Sequence, residues 1–470
     1  MVSYIIYQLI RGIILFILWY VIVMNSISLL QMIFALIVTP AYIVKARNYE
    51  YRLMGASKNM IPISLLVPAY NEEVTIVDTI KSLLNLNYLN FEIVVINDGS
   101  KDNTLNAVID AFGLHKIIYP VREQLATKKV RGIYYNPDMP RLKLVDKENG
   151  GKADALNVGI NLARYPYIVS LDADSLLEAD ALLRIAMAFL QDKYTVAVGG
   201  MIRVINGCKV RDGKILSVGL SGKIWVLFQT LEYFRSFLAG RIGWNSFNSL
   251  LVISGAFGAF QKDAVISVGG YTPDTVGEDM DLVIKLHRYM RSRKYKYRVS
   301  FLPDPICWTQ VPEDFSTLYH QRRRWQIGLI NVLGRNQGML LNPRFGKLGA
   351  LALPYFFLFE MVSPIIEILG YILIPLGWFF GLLSLDALVL FYAAIVLFGI
   401  ITSIGSLLVE GLTNTEYITI REVLFLILLS IMENIFYRQM TVIFRLLGFL
   451  SYRKHKRAWG TMKRQKYMYD

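Results

Sequence analysis

Two aspartates one residue apart, Asp172 and Asp174, follow the short apolar run YIVSL in the sequence YIVSLDADS. Such a run predicts a buried strand, so both carboxylates should lie at its carboxyl end. Carboxylate oxygens are the ligands that Mg²⁺ and Mn²⁺ prefer, and either ion commonly holds a diphosphate. The pair therefore predicts a divalent metal site, although an Asp-x-Asp pair alone also occurs by chance in many chains.

A lysine that opens a predicted helix is a candidate for the opposite charge. Lys152 follows Gly150 and Gly151 in the sequence ENGGKADALN, shortly before the aspartate pair. At a helix start, backbone N–H groups and an ammonium can approach a phosphate oxygen closely. The alternative is a lysine that is only solvated on the first turn. Because Lys152 lies shortly before the predicted metal site at Asp172, we favour the phosphate contact.

Further polar residues stand where other predicted strands end. Asp98 closes the run FEIVVIND, and its carboxylate is a candidate contact for the base or ribose of a nucleotide. Tyr70 and Glu72 follow the run ISLLVPA and are candidates for the rest of the nucleoside. Asn71, between them, is equally well explained as a helix cap. Because ligands of parallel sheets gather at the carboxyl ends of the strands, these residues predict one nucleotide site.

An acidic pair, Glu278 and Asp279, stands at the start of another predicted helix. Acidic side chains at that position can act solely by stabilising the helix dipole. Transfer of a group to a hydroxyl, however, needs a base that removes the proton, and Asp279 is the first candidate, with Glu278 second. Ser254 and Gly255 follow a further short strand, where such small residues allow a ligand ring to approach closely.

The sequence Gln321-x-x-Arg324-Trp325 lies on a predicted amphipathic helix, where the three side chains share one face. An indole offers a stacking surface for a sugar or a base, and a guanidinium offers charge to a diphosphate. The same residues also fit a helix that lies at a membrane surface without binding any ligand.

Residues 60–310 alternate between predicted strands and helices, which is typical of α/β proteins with a mostly parallel sheet. The predicted strands are 63–70, 91–98 and 165–172, and the predicted helices include 222–240 and 315–337. The basic stretch 116–143 has no clear periodicity and is predicted to be an inserted loop without an assigned role.

The composition indicates an integral membrane protein. The chain has 470 residues, of which 54% are hydrophobic, and its mean hydropathy is +0.41. The hydrophobic fraction exceeds that of ordinary soluble enzymes. Because the net charge of +14 is concentrated beside apolar segments, it favours anionic lipid headgroups, and no nucleic-acid partner is expected. Cys208 and Cys307 indicate neither a disulfide framework nor a metal site.

Two apolar blocks flank the α/β region. Charge is absent from Gly12 to Val44, which is longer than the about 20 residues that one span needs. We expect one span at 24–44 preceded by an interfacial helix, or alternatively two spans. Basic residues after this block and at the C-terminus predict that the α/β region and the C-terminal tail both lie in the cytoplasm. Those after the first block are Lys45, Arg47 and Arg52.

The predicted organisation has five parts. They are an N-terminal membrane segment (1–45), a cytoplasmic α/β domain (60–314), an amphipathic interfacial helix (315–348), a C-terminal transmembrane block (349–450) and a basic cytoplasmic tail (451–470). A cytoplasmic tail requires an even number of crossings after residue 349.

The motifs in their order along the chain resemble the processive, membrane-embedded family 2 glycosyltransferases. That group includes cellulose synthases, hyaluronan synthases and bacterial poly-N-acetylglucosamine synthases. The match covers roughly residues 60–335, and the run WTQVPEDFSTLYHQRRRW is most similar to the poly-N-acetylglucosamine type. The sequence ISGAFG stands where the cellulose synthases carry a Phe-rich Cys-Gly-Ser acceptor motif, which argues against cellulose as the product.

The resemblance implies a GT-A fold, a UDP-sugar donor, Mg²⁺ or Mn²⁺, and inversion at the anomeric carbon. It implies contact of the uridine with Tyr70, Glu72 and Asp98. It implies that Asp172 and Asp174 hold the diphosphate and the metal.

The resemblance also implies that Asp279 is the base and that Gln321, Arg324 and Trp325 lie at the acceptor end and the leaving diphosphate. The expected activity is processive transfer of a sugar from UDP-N-acetylglucosamine or UDP-glucose to a growing β-linked polysaccharide that is exported across the membrane. An accessory export subunit and the oligomeric state stay open. The alternatives are a transferase that adds one sugar to a lipid acceptor, and a non-catalytic membrane channel or scaffold.

Overall fold

A mixed ten-stranded sheet forms the core of the middle of the chain. The structure, a computed structural model, describes residues 2–47, 60–211, 214–413 and 419–455. The strands are β1 (Ile63–Ala69), β2 (Phe91–Asn97), β3 (His115–Ile117), β4 (Val130–Tyr135), β5 (Leu142–Lys147), β6 (Tyr167–Leu171), β7 (Ser175–Leu177), β8 (Thr195–Val204), the separate hairpin β9 (Lys209–Arg211) and β10 (Lys214–Ser217), β11 (Phe257–Gln261) and β12 (Arg298–Thr309).

Helices cover both faces of the sheet and form a bundle beside it. They are α1 (Val2–Arg47), α2 (Ile76–Leu84), α3 (Thr104–Phe112), α4 (Lys152–Leu162), α5 (Ala181–Gln191), α6 (Ile224–Tyr233), α7 (Gly240–Ser246), α8 (Lys262–Ser267), α9 (Glu278–Ser292), α10 (Phe315–Arg335), α11 (Leu353–Tyr355), α12 (Ser363–Phe379), α13 (Leu385–Thr413), α14 (Ile420–Met432), α15 (Arg438–Leu450) and α16 (Tyr452–His455). Four π-helical segments continue or join them, at Phe234–Ala239, Leu348–Ala352, Phe356–Met361 and Glu433–Tyr437.

The strand order is β3-β4-β5-β2-β1-β6-β11-β8-β12-β7. Strands β5, β2, β1 and β6 are parallel neighbours at the centre, and β4, β7 and β11 run against the rest. All residues of β2 and β5 are buried, as expected for strands that helices cover on both faces. The predicted α/β fold with a mostly parallel sheet is confirmed.

The central strands bring the predicted site residues to one edge. β1 lies between β2 and β6, with Ala69 beside Asn97 and Leu66 beside Ser170 in the parallel registers. The residues that follow these three strands therefore leave the sheet side by side. Asp98 and Asp172 directly follow β2 and β6.

The stretch 116–143 is not a loop throughout, because β3, β4 and the start of β5 lie within it, and the prediction is wrong for these strands. β3 pairs with β4 and β4 with β5, all antiparallel, so the stretch extends the edge of the sheet. Ile133 is buried, but β3 is mostly exposed and only three residues long. An edge hairpin with one solvated face lacks the continuous apolar run that marked the central strands, and basic residues on such an edge protect it from further pairing.

The N-terminal segment is one uninterrupted helix, so the predicted break before residue 24 is absent. Helix α1 spans 46 residues, about 70 Å at 1.5 Å per residue, which exceeds the thickness of a bilayer core. Its far end reaches the sheet domain, where the Tyr42 hydroxyl donates to Asp304 Oδ2 at 2.7 Å. No charged residue lies between Gly12 and Val44, and Pro40 lies within the helix without ending it.

Two helices among the described residues are long and apolar enough to cross a bilayer, Tyr7–Val44 within α1 and α13. A third span is added if Leu348–Met361 and α12, which meet at 44°, form one bent span. Gly377 in α12 allows close packing on α1, because a Cβ there would lie 2.7 Å from Ile14 Cδ1.

Buried ion pairs join the helix bundle to the sheet domain. Arg203 of β8 pairs with Glu410 of α13, and Arg235 Nη1 lies 2.7 Å from Glu433 Oε1. Of the basic residues that predict a cytoplasmic location, Arg52 and the tail from 456 to 470 lie outside the described residues. The orientation therefore stays a prediction.

Candidate active site

Asp98 holds the loop that leads from β5 into α4. Its carboxylate accepts hydrogen bonds from the backbone N–H groups of Gly150 at 2.9 Å and Gly151 at 2.8 Å. The side chain is only 3% exposed. Gly151 has φ +84°, a conformation that favours glycine, and a Cβ on Gly150 would clash with Asp154 at 2.5 Å. The two glycines that precede Lys152 are therefore required by this loop.

Lys147, which the sequence analysis missed, supplies the charge that balances Asp98. Its fully buried ammonium lies 2.5 Å from Asp98 Oδ1 and 2.7 Å from Asp154 Oδ2. Its strand, LKLVDK, also carries Lys143 and Asp146, so no local pattern distinguished Lys147 as a residue of the site. Charge-assisted hydrogen bonds of this kind fix the loop far more firmly than neutral ones.

Lys152, the first residue of α4, connects the two sides of the site. Its ammonium lies 2.5 Å from Asp172 Oδ1, 2.9 Å from the Gly255 carbonyl oxygen and 3.9 Å from Glu278 Oε1. Burial lowers the pKa of Lys152, but the carboxylates of Asp172 and Glu278 outweigh it, and the net effect raises the pKa. The side chain therefore carries a positive charge at neutral pH.

Asp279 is held beside the same point. Its Oδ2 accepts a hydrogen bond from Gly255 N–H at 2.9 Å, and its Oδ1 accepts one from Met280 N–H at 2.7 Å. A Cβ on Gly255 would lie 3.1 Å from Lys152 Nζ and 3.5 Å from Asp279 Oδ2, so this position has little room for a larger residue. Ser254, just before it, is half-buried and accepts a hydrogen bond from Ala256 N–H.

Glu278 differs from Asp279 in its electrostatics. It is 4% exposed, and burial, with a contribution from Asp279, raises its pKa to about 7 against the opposing charges of Lys152 and Arg324. Near neutral pH it is therefore protonated in about half of the molecules, whereas half-buried Asp279 accepts hydrogen bonds from two backbone N–H groups. Two adjacent acids in different environments suit different roles.

Asp172 and Asp174 follow β6 as predicted, the first half-buried and the second buried. The ammonium of Lys152 lies against the Asp172 carboxylate, so a positive charge can be accommodated beside Asp172. The described residues contain no group of three or more His, Cys, Asp or Glu side chains that could hold a metal by themselves. The two carboxylates therefore fit a hard divalent ion only with further oxygens from a bound diphosphate or from water.

The residues predicted to bind the nucleoside differ in how far they are exposed. Tyr70 is 42% exposed at the end of β1. Glu72 is buried, and its Oε2 accepts from the Thr75 hydroxyl at 3.1 Å. Asn71 has φ +57° and accepts from Lys101 N–H, whereas Thr75 is the residue that precedes α2, so Asn71 does not cap that helix.

Helix α10 runs close to the start of α9. Gly328 and Gly277 permit this approach, since a Cβ on Gly277 would lie 3.2 Å from Gly328 Cα. Of the predicted residues on α10, Gln321 is buried, and Arg324 and Trp325 are half-buried. The effect of Arg324 on the pKa of Glu278 agrees with this proximity.

Arg322, between the predicted residues, was missed. Its Nη2 lies 2.6 Å from Glu232 Oε2 and 3.2 Å from the Tyr437 hydroxyl, and its Cζ lies 4.3 Å from the centre of the Trp325 ring. Gln321 Oε1 accepts from Arg322 Nη1 at 2.9 Å. Glu232 and Tyr437 lie far away in the sequence, so no local pattern could distinguish Arg322 from the adjacent arginines.

The family is established by sequence comparison. A family model described as Glycosyl transferase family group 2 matches residues 167–402, half of the chain, and one described as Glycosyl transferase family 2 matches residues 64–251. The chain belongs to the family 2 glycosyltransferases. It is a glycosyltransferase with a mixed α/β sheet domain, joined to apolar helices long enough to span a membrane.

This glycosyltransferase is similar to curated synthases from staphylococci. It is 35% identical over 274 residues to the poly-beta-1,6-N-acetyl-D-glucosamine synthase of Staphylococcus aureus strain COL, covering 58% of this chain and 56% of that one. It is 32% identical over 327 residues to the synthase of that name from Staphylococcus epidermidis, covering 69% and 67%. The alignment thus spans little more than half of the first relative's length.

A solved structure, a mannosyltransferase from Pyrobaculum calidifontis in complex with GDP-Man and Mn²⁺, is also similar. It covers 88% of the glycosyltransferase and 99% of its own chain, at 18% identity and a TM-score of 0.49.

Replacement of Lys147 by alanine should destabilise the fold, because Asp98 and Asp154 would be left buried without a counter-charge. Breaking a buried pair of this kind costs about 3–5 kcal/mol. Thermal unfolding of the purified protein in detergent should show a clear fall in melting temperature. Lys129→Ala, at an exposed position nearby, should leave the melting temperature unchanged. Equal melting temperatures for the two variants would contradict the assigned role.

Replacement of Glu278 by glutamine should stabilise the protein in a pH-dependent way. The carboxyl titrates near pH 4.5 when unfolded and near 7 when folded, so its contribution to stability falls as pH rises between these values and is constant above. Glutamine mimics the protonated form. The melting temperature of Glu278→Gln relative to wild type should therefore rise from pH 4.5 to 7 and then level off.

The control for this series is Glu148→Gln, at an exposed position, which should show no such trend. A difference between Glu278→Gln and wild type that does not change with pH would refute the raised pKa.

Proposed function

We propose that this glycosyltransferase builds a β-linked polysaccharide by processive, inverting transfer from a UDP-sugar. UDP-N-acetylglucosamine is the proposed donor, with UDP-glucose as the alternative, because the staphylococcal relatives are named for a polymer of N-acetyl-D-glucosamine. One observation carries the proposal. Lys152 contacts Asp172 and Gly255, and Gly255 donates to Asp279, so a candidate diphosphate site and a candidate base border the same point.

The donor would bind along the carboxyl ends of the central strands. Tyr70, Glu72 and Asp98 are proposed for the uridine. The ammonium of Lys152 would then bind a diphosphate oxygen, and Asp172 and Asp174 would hold Mg²⁺ or Mn²⁺. When bound, the metal would neutralise the negative charge that develops on the UDP leaving group.

Asp279 is the proposed general base. Its carboxylate would take the proton of the acceptor hydroxyl while the hydroxyl oxygen bonds to the anomeric carbon and the bond from that carbon to UDP breaks. The N–H groups of Gly255 and Met280 keep Asp279 oriented. Glu278 is the second candidate because it is almost fully buried, whereas Asp279 is half-buried and more accessible to a substrate.

The acceptor is proposed to lie along α10, against Gln321, Arg324 and Trp325, with Ser254 and Gly255 facing its terminal ring. A growing chain would leave from there through the membrane helices. This requires the sheet domain to be cytoplasmic and the protein to cross the membrane several times. The five parts predicted from the sequence are proposed on the same basis.

Asp279→Asn should abolish most sugar transfer but retain UDP binding, because the amide cannot take a proton and the diphosphate contacts remain. Loss of a general base typically costs about 10²- to 10⁴-fold in rate. Incorporation of labelled N-acetylglucosamine by detergent-solubilised protein measures the first effect, and UDP titration measures the second. Asp263→Asn, at an exposed position in α8, is the control. Transfer by Asp279→Asn near the wild-type rate would exclude it as the base.

The length of the product distinguishes polymerisation from single transfer. Wild-type protein supplied with UDP-N-acetylglucosamine and Mn²⁺ should make chains of many residues while intermediate lengths stay scarce, with UDP-glucose assayed in parallel. An enzyme that glycosylates a lipid would stop after one sugar per acceptor, and a scaffold would release no UDP. Asp279→Asn prepared in the same way gives the background.

A further inference from the structure

Arg241 is a buried cation beside the proposed acceptor end. It is the second residue of α7 and only 7% exposed. Its Cζ lies 4.3 Å from the centre of the Phe237 ring and 5.9 Å from that of Phe301. The guanidinium thus makes cation–π contacts with two aromatic rings. These contacts leave its N–H groups available for hydrogen bonds.

One nitrogen of the guanidinium lacks a polar partner in the part of the chain that the structure describes. Its Nη1 is buried without a hydrogen-bond acceptor. Two other arginines nearby, half-buried Arg235 and buried Arg322, are paired, Arg235 with Glu433 at 2.7 Å and Arg322 with Glu232 at 2.6 Å. Each of these two forms an ion pair, whereas Arg241 forms none with the described residues.

An unpaired buried cation destabilises the folded chain. Burial lowers the pKa of Arg241 to about 10, while the charges of Asp279 and Tyr233 raise it. The side chain is still a cation at neutral pH, and the desolvation of its Nη1 is not compensated by a described residue. A bound oxygen would provide the missing acceptor.

The surroundings of Arg241 place it at the acceptor side of the site. Phe237, which stacks on Arg241, also lies 6.1 Å from Trp325, the aromatic residue proposed for the acceptor. Phe301 lies on β12, and a Cβ on Gly199 would touch both Phe301 and Ile253, the residue just before Ser254. The acid whose charge acts on Arg241 is the proposed base Asp279, not Asp172 at the diphosphate end.

We propose that Arg241 binds the acceptor glycan, by donating a hydrogen bond from its guanidinium to an oxygen of the terminal sugar between Trp325 and Asp279. This rests on the proposed function. Such a bond holds the terminal sugar of the glycan at the acceptor end of the site. Arg241 then decides whether the donor sugar is transferred to a glycan or to water.

The first test is direct binding of a soluble β-linked N-acetylglucosamine oligosaccharide to the full-length protein in detergent. Arg241→Gln should weaken this binding about 10- to 100-fold, the usual effect of removing a charged hydrogen-bond donor. Its UDP affinity, measured with Mn²⁺, should stay within about twofold of wild type. Arg241→Lys, which keeps the charge but not the planar fork, should recover part of the loss.

Thermal unfolding separates a binding role from a structural one. Because the unpaired cation destabilises the fold, Arg241→Gln should melt at the same temperature as wild type or higher. The matched control is Arg141→Gln, which removes a guanidinium from the Phe91 ring, 4.8 Å away, outside the site. That control should bind the oligosaccharide and UDP like wild type.

The partition of the donor provides an independent readout. In Arg241→Gln the rate of transfer to glycan should fall while the rate of donor hydrolysis stays unchanged. The fraction of released UDP that is accompanied by transfer to glycan should therefore fall, and the fraction accompanied by hydrolysis should rise. The proposal is overturned if Arg241→Gln binds the oligosaccharide like wild type, if wild type does not bind it, or if UDP affinity falls about tenfold. It is also overturned if the variant melts well below wild type. If the wild-type protein binds the oligosaccharide but releases no UDP from the UDP-sugar, the proposed function is refuted while the proposed glycan-binding role of Arg241 is not.

Discussion

The ammonium of Lys152 contacts groups from three separate parts of the chain, and the geometry of the site depends on these contacts. It reaches Asp172 after β6, the Gly255 carbonyl before β11 and Glu278 at the start of α9. The N–H of Gly255 then holds Asp279. One charge thus positions the candidate metal ligand relative to the candidate base, which a transfer reaction requires to within fractions of an ångström.

Lys152 can make these contacts because hydrogen bonds to Asp98 fix the loop before it. The buried carboxylate of Asp98 accepts the N–H groups of Gly150 and Gly151, and Lys147 balances its charge. Helix α4 therefore starts at a defined point, with its first side chain directed at Asp172. A loop held by charge-assisted hydrogen bonds loses little further entropy when a ligand binds, which favours tight and selective binding of a diphosphate.

The parts of the site that follow central strands could be predicted from the sequence. Asp98 and Asp172 end apolar runs, and parallel strands carry such residues to one edge whatever their distance in the chain. Lys147, Arg322 and Arg241 could not be predicted, because each resembles a surface residue in its local sequence and is buried only by the tertiary fold. The edge hairpin within 116–143 was missed for a similar reason, since a half-solvated strand has only weak periodicity. The length of α1 depends on packing against the domain, which local hydropathy does not report.

An experimental structure with UDP and Mn²⁺ bound is the most direct test of whether these groups form one donor site. The diphosphate should lie within hydrogen-bonding distance of Lys152 Nζ and next to Asp172 and Asp174, with Asp279 facing the position of the sugar's anomeric carbon from the side opposite UDP. A nucleotide bound away from Lys152, or an Asp279 carboxylate turned away from that position, would contradict the assignment of this site.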